Sequence, residues 1–155
     1  MFNVGTSAQF QISNAGLISN YNGLATVNNG IAVQVAVINL SNQNATINNA
    51  ALYTSSDEGF YRVSYMAIIT TAATDNSSLT LRIKYSDPDL TSDVVVPPTN
   101  LEPINSVSSN IVGGNFSGSM LIYVKSGSNI TYKATYGSSG ATAMVYTIRI
   151  VLEKL

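Results

Sequence analysis

Twelve consecutive residues, Gly59-Phe60-Tyr61-Arg62-Val63-Ser64-Tyr65-Met66-Ala67-Ile68-Ile69-Thr70, constrain this chain more than any other stretch. Aromatic and β-branched residues dominate the run, and both suit a pleated, half-buried surface. Its length is about twice that of a typical strand. Polar turn material brackets it, with Ser55-Ser56-Asp57-Glu58 before and Ala73-Thr74-Asp75-Asn76-Ser77 after. The segment is therefore expected to be the central strand of an all-β domain. One face, Tyr61, Val63, Tyr65, Ala67 and Ile69, is wholly apolar or aromatic and is expected in the core. The other face starts with Phe60, Arg62 and Ser64 and ends with Met66 and Ile68. That late apolar surface exceeds the needs of a single core, so Met66 and Ile68 are expected at a subunit interface.

Period-two alternation recurs along the chain. In 31–38, Ile31, Val33, Val35 and Val37 share one face, and Ala32, Gln34, Ala36 and Ile38 the other. In 79–85, Leu79, Leu81, Ile83 and Tyr85 point inward while Thr80, Arg82 and Lys84 point outward. Ser119–Lys125 is a strand, turned by Ser126-Gly127-Ser128-Asn129 into Ile130–Tyr136, whose inward residues are Ile130, Tyr132, Ala134 and Tyr136. A last strand over 143–153 places Met144, Tyr146, Ile148, Ile150 and Leu152 on one face. Residues 41–49 read as an Asn-rich turn, with Ala50–Tyr53 leading into the central strand. Asp93–Val96 is a short strand stopped by Pro97-Pro98, and 99–115 is the longest irregular connection. Turn signals fall every eight to fifteen residues, so a sandwich or barrel of eight to ten antiparallel strands is expected, with no helix.

Residues 1–30 are turn-rich, with possible short strands at Phe10-Gln11-Ile12 and Leu17-Ile18. Asn22-Gly23 and Asn29-Gly30 are strong turn dipeptides. The segment suits either an arm that packs on a neighbour or an ordinary edge hairpin. The expected organisation is thus an N-terminal arm or edge-strand segment over 1–30 and a single jelly-roll β-sandwich domain over 31–155.

Composition limits the chemistry. The 155 residues include no Cys, His or Trp. Thiol nucleophiles, the usual zinc ligands and every His-based triad are excluded. Charged residues make up only 10% of the chain and the net charge is −1, so solubility rests on Asn, Ser and Thr. The cations Arg62, Arg82, Lys84, Lys125, Lys133, Arg149 and Lys154 are scattered singly, without the basic run that a nucleic-acid site uses. No apolar run is long enough to span a membrane. The start, Met1-Phe2-Asn3-Val4-Gly5, lacks the pattern of a signal peptide, so synthesis in a cytoplasm without export by the usual route is expected.

Acidic residues group only at Asp57-Glu58 and at Asp87-Pro88-Asp89 with Asp93. Clustered carboxylates suit calcium, but solvated turn residues account for these better. Among eight acids no pair stands out as the two placed carboxylates of a glycosidase. The nine Tyr residues invite a carbohydrate-binding reading. Tyr61, Tyr65, Tyr85, Tyr132 and Tyr146 nevertheless share faces with apolar neighbours and are expected in core or interface, while Tyr21, Tyr53 and Tyr136 are freer. Asn39, Asn44, Asn76, Asn115 and Asn129 open glycosylation sequons, a number close to chance in so Asn- and Ser/Thr-rich a chain, and one that implies no modification without a secretory route. No catalytic, cofactor-binding or metal-binding residue is expected, and no enzyme activity.

The order of features carries a resemblance. A Gly-aromatic-Tyr-x-Val-Ser strand sits mid-chain, the hairpin Lys125-Ser126-Gly127-Ser128-Asn129-Ile130 follows, and an apolar strand ends the chain. Over roughly 50–155 this resembles the jelly roll of the tumour necrosis factor and complement globular-head superfamily. A closer likeness is to small proteins encoded in tailed-phage genomes. It rests on Gly59–Ser64 followed by Thr70-Thr71-Ala72-Ala73-Thr74, on Tyr136-Gly137-Ser138-Ser139-Gly140-Ala141-Thr142-Ala143-Met144, and on the closing Leu152-Glu153-Lys154-Leu155. The superfamily resemblance implies a homotrimer with aromatic and apolar side chains near the three-fold axis. The collagen stalk and receptor-binding loops of its complement and cytokine members have no counterpart here.

The resulting expectation is a non-enzymatic phage structural protein, a trimeric capsid decoration or cement protein on the virion surface. Its partner is the major capsid protein, and neither nucleic acid nor membrane is involved. The alternative is a receptor- or glycan-binding module of a head fibre or tail fibre, although no coiled coil or shaft is visible. A secreted cytokine-like ligand is a third reading, and it lacks a signal peptide or membrane anchor.

Overall fold

Alternating side chains with one buried face fix a strand's orientation, because a slip of one residue would turn every apolar group to water. That constraint produces the elements seen in the computed structural model, which describes residues 32–96 and 111–155 together with five short strands outside them. Four of these lie near the N-terminus: β1 (Phe2–Val4), β2 (Ser7–Ile12), β3 (Ile18–Tyr21) and β4 (Leu24–Ala25). They pair in that order as an antiparallel meander of their own. β2 and β3 contain the expected Phe10–Ile12 and Ile18 pieces. Leu17 and the turn dipeptides Asn22-Gly23 and Asn29-Gly30 lie outside the described residues.

The main body follows as β5 (Val33–Gln43), β6 (Ile47–Thr54), β7 (Gly59–Thr71), β8 (Ser77–Tyr85), β9 (Val94–Val96), β10 (Ile104–Val107), β11 (Asn115–Val124), β12 (Asn129–Ser138) and β13 (Val145–Lys154). No helix occurs among the described residues. One sheet has the order β11-β7-β13-β5 and the other β10-β8-β12-β6, with β9 also paired to β8. All the pairings are antiparallel. Successive strands cross between the sheets from β5 to β8 and again from β10 to β13. This interleaving is that of a jelly-roll β-sandwich.

The central-strand expectation holds. β7 lies between β11 and β13, and Tyr61, Val63, Ala67 and Ile69 are almost fully buried, with Tyr65 close behind. Leu79, Leu81 and Ile83 of β8, Ile130, Tyr132 and Ala134 of β12, and Tyr146, Ile148, Ile150 and Leu152 of β13 meet them between the sheets, as does Met144 just before β13. The turn after β11 is pinned by Ser55. Its hydroxyl donates to the Lys125 carbonyl at 2.6 Å, and Gly127 takes a φ of +74° that a side chain would resist.

Three expectations need correction. The Asn-rich turn is shorter than 41–49, because β5 runs to Gln43 and β6 begins at Ile47. The connection 99–115 contains β10, paired to β8. The sandwich itself comprises the nine strands β5 to β13, within the expected eight to ten, and β1 to β4 form a separate sheet. The strict faces assigned to 31–38 also fail. A bulge opposite Leu152 and Glu153 shifts the alternation of β5, so that Val35 and Ala36 both pack on the core while Val33 and Val37 are exposed. A second irregularity places two residues of β5, Ser41 and Asn42, against Thr147 of β13, and Asn42 there takes a left-handed φ of 56°. Asn is among the few non-glycine residues that adopt this conformation readily.

Candidate assembly face

The inward residues of β7 and β13 leave their alternates on the outer face of the β11-β7-β13-β5 sheet. Register builds that face in rows. Val37, Val151, Ser64 and Ser119 lie side by side, as do Asn39, Arg149, Met66 and Ser117. Thr147, Ile68 and Asn115 form another row, and Phe60 lies opposite Tyr123. The Phe60 and Tyr123 rings stand 4.7 Å apart, tilted at 52°. Val37, Phe60 and Leu121 are exposed by 50%, 50% and 58%. Exposed single apolar residues are ordinary, but these share one sheet face with the Met66 and Ile68 rows.

Met66 and Ile68, the sequence-derived interface pair, both lie on this face and are half-buried. Met66 sits between Arg149 and Ser117, and Ile68 between Thr147 and Asn115. The sequence pattern missed Phe60, Leu121 and Val37 as members of the same surface. The signal for Phe60 was present, since it shares the Met66 and Ile68 face of one strand. Leu121 and Val37 join only through strand adjacency.

Two pairs of polar groups on the face are matched across strands. Arg62 Nε donates to Glu153 Oε2 at 2.7 Å. The Arg62 guanidinium, through this hydrogen bond and then its charge, holds the Glu153 carboxyl below the usual range, and the Arg62 pKa is raised in return. Ser64 and Ser119 hydroxyls lie 3.3 Å apart. Pairing Arg62 with Glu153 lowers the cost of taking these two charges out of water, whereas Arg149 in the Met66 row is exposed and has no ion pair among the described residues.

Asp57, Glu58, Asp87 and Asp93 have structural partners. Asp57 accepts from Lys154, a lysine only 6% exposed, and that hydrogen bond is the main cause of its lowered carboxyl pKa. Tyr123 donates its hydroxyl to Glu58 at 2.8 Å. Asp87 caps its own turn by accepting from the Asp89 amide. Lys84 and Ser86 both donate to Asp93 and lower its pKa. Among the described residues no three potential metal ligands come together.

Tyr61 and Tyr146 are buried, and burial pushes each hydroxyl pKa up to about 12. Their hydroxyls donate to the carbonyls of Asp57 and Ala45. Tyr53 and Tyr136, read as freer, instead pack against the core. Tyr53 stands 6.1 Å from the Tyr61 ring, and Tyr136 donates to the Met144 carbonyl. The side chain of Tyr21 lies outside the described residues.

The cations do not stay scattered. Arg82, Lys84 and Lys133 converge on the outer face of the other sheet, where Lys133 pairs in register with Arg82, and Thr131 with Lys84. With Asn49 and Val95 they line a shallow cavity of about 220 Å³. Arg82 and Lys84 were legible as one outward face, but Lys133 comes from a distant segment.

No family model matches the sequence, and no curated protein matches it. Among solved structures, the globular domain of zebrafish complement 1qA protein is similar at 10% identity and a TM-score of 0.44, covering 77% of this chain and 96% of that one. The PRD1 vertex protein P5 is similar at 16% identity and a TM-score of 0.43, covering 81% and 99%. Eiger TNF from S. frugiperda is similar at 12% identity and a TM-score of 0.36, covering 80% and 88%. With every TM-score below 0.5, the jelly-roll assignment rests on the strand order of this chain itself.

Proposed function

We propose that this chain is a non-enzymatic structural module that forms a homotrimer through the outer face of the β11-β7-β13-β5 sheet, and that the trimer decorates and cements a phage capsid. The observation that carries the assembly is the set Val37, Phe60, Leu121, Met66 and Ile68 on one sheet face. A monomer gains nothing from leaving these groups in water, whereas burial returns roughly 25 cal/mol per Å² of apolar surface. The virion assignment is supported by the phage-like segments Gly59–Ser64, Thr70–Thr74, Tyr136–Met144 and Leu152–Leu155. In this reading β1 to β4 form an arm that clasps a neighbouring capsomer, and the major capsid protein is the partner. Many weak contacts made by a rigid trimer sum through multivalency.

Light scattering at micromolar concentration tests the assembly, with a trimer as the expected result. Met66→Lys and Ile68→Lys are expected to yield folded monomers, and a variant that stays trimeric removes this face from the contact. Purified trimer is then mixed with mature, expanded capsids. Stoichiometric binding and raised heat resistance are expected. Binding to host cells without binding to capsids would replace the cement role with a fibre-borne receptor-binding one.

A further inference from the structure

The cavity on the outer face of β8 and β12 has features that the assembly role does not use. Three of the seven cations, Arg82, Lys84 and Lys133, line it. Lys84 is paired with Asp93, whose carboxylate is shared with the Ser86 hydroxyl. Arg82 and Lys133 have no ion pair among the described residues. Two buried polar atoms there have no hydrogen-bond partner, Arg82 Nε and Thr131 Oγ1. Unpartnered buried polar atoms are rare, and each calls for a cause such as a missing water or ion. Here both lie on adjoining strands at the same cationic patch, in register positions two residues apart on β12.

The backbone also departs from regularity at this place. β6 carries an extra residue where Ala50 faces Tyr132 and Ile47 faces Ala134, so Asn48 and Asn49 together oppose Lys133. Asn49 takes a positive φ of 26° and lines the cavity. A bulge of this kind re-aims a side chain, and bulges are frequent beside functional sites. A second bulge opposite Ile130 and Thr131 brackets Thr131 on its other side. Cations, an amide and an orphaned guanidinium N–H thus meet over one cavity, with the orphaned Thr131 hydroxyl in register with Lys84 beside it.

The geometry points to a binding site for a compact oxyanion, a phosphate or carboxylate group, held by Arg82 and Lys133 with Thr131 and Asn49 beside them. Guanidinium suits such a group because its N–H donors match two oxygens at once. The cavity is confined and bordered by Val95, which fits one acidic group or one acidic sugar. A nucleic acid would need a longer cationic track. Because this sheet faces away from the assembly face, the site remains open in the trimer.

Isotope-edited NMR titration of the full chain tests the site with inorganic phosphate, glucuronate and, as a neutral control, glucose. Saturable shifts are expected at Asn49, Arg82, Thr131 and Lys133. Phosphate without glucuronate indicates a phosphoryl ligand, glucuronate without phosphate an acidic saccharide, and binding of both an unselective oxyanion site. Arg82→Gln and Lys133→Gln are each expected to weaken binding about tenfold or more, as the loss of a charge-assisted hydrogen bond does. Either variant suffices if the other misfolds. No saturation with either acid, equal binding of glucose, or unchanged affinity in a folded variant overturns the assignment.

Discussion

Thr131 Oγ1 is buried without a partner on an otherwise well-paired strand. An unsatisfied buried hydroxyl costs about 1–3 kcal/mol, and valine has nearly the same shape with a methyl in its place. Thr131→Val is therefore expected to raise the stability of the ligand-free protein by roughly 1 kcal/mol, read as a higher Tm. The same variant is expected to bind phosphate more weakly, so stability and binding move in opposite directions. A lower Tm would mean that the hydroxyl is satisfied and the orphan argument fails. Gly118 presents the converse case, a position where nothing can be added. It pairs with Tyr65 across β7 and β11, and a β-carbon there would lie 2.8 Å from Tyr65 Cζ and closer still to the hydroxyl. Gly118→Ala is expected to destabilise by about 1–3 kcal/mol through overpacking, measured by denaturant midpoint. An unchanged midpoint would show that Tyr65 can move aside. Neither feature is visible in the sequence, where Thr131 reads as a good strand residue and Gly118 as a weak one.

Among the elements, β7, β8, β12 and β13 were legible because their alternation is strict and one face of each is buried in the core. β5 was not. It is an edge strand with bulges, and its Val33, Val35 and Val37 series suggests one buried face where the register breaks it. Pattern reading assumes an unbroken period, which holds for central strands and fails where one strand carries an extra residue. The assembly face was half legible for a related reason: Met66 and Ile68 follow from one strand, whereas Leu121 and Val37 need the order β11-β7-β13-β5. The Arg62–Glu153 bridge between β7 and β13 adds a pH dependence to that face. Arg62 holds the Glu153 pKa below its ordinary 4.5, so the bridge's contribution is complete above that value. It is lost as pH falls through the lowered folded value. Burial in a subunit contact would leave Arg62 charged and unpaired once Glu153 is protonated. Trimer dissociation is expected by light scattering only as pH falls well below 4.5, the ordinary Glu153 value, and Glu153→Gln is expected to weaken the trimer at neutral pH. A trimer indifferent to both changes would place the bridge outside the contact.

At the scale of the whole molecule, the two outer faces of the sandwich differ in kind. One displays exposed apolar groups around the Arg62–Glu153 pair, with Arg149 as its one further charge among the described residues, and the other gathers three cations, one of them shared with Asp93. Two sheets packed about 10 Å apart turn their outer faces in opposite directions, so burying the first leaves the second displayed. A trimer then presents three cationic cavities on one rigid body. A single weak oxyanion site becomes effective when three act on one surface, because the second and third contacts are intramolecular. This separates the roles of the two faces experimentally. Leu121→Asp alters only the apolar face, where it lies opposite Arg62 in register and gains a cation beside it. The variant is expected to be a folded monomer whose affinity for free phosphate equals that of the parent. On a densely phosphate-coated surface its retention is expected to fall by about a hundredfold, the usual scale of lost avidity. If free and surface-bound phosphate weaken together, the cavity and the assembly face are one coupled unit. If neither weakens and the variant is monomeric, trimer formation adds nothing to binding at the cavity.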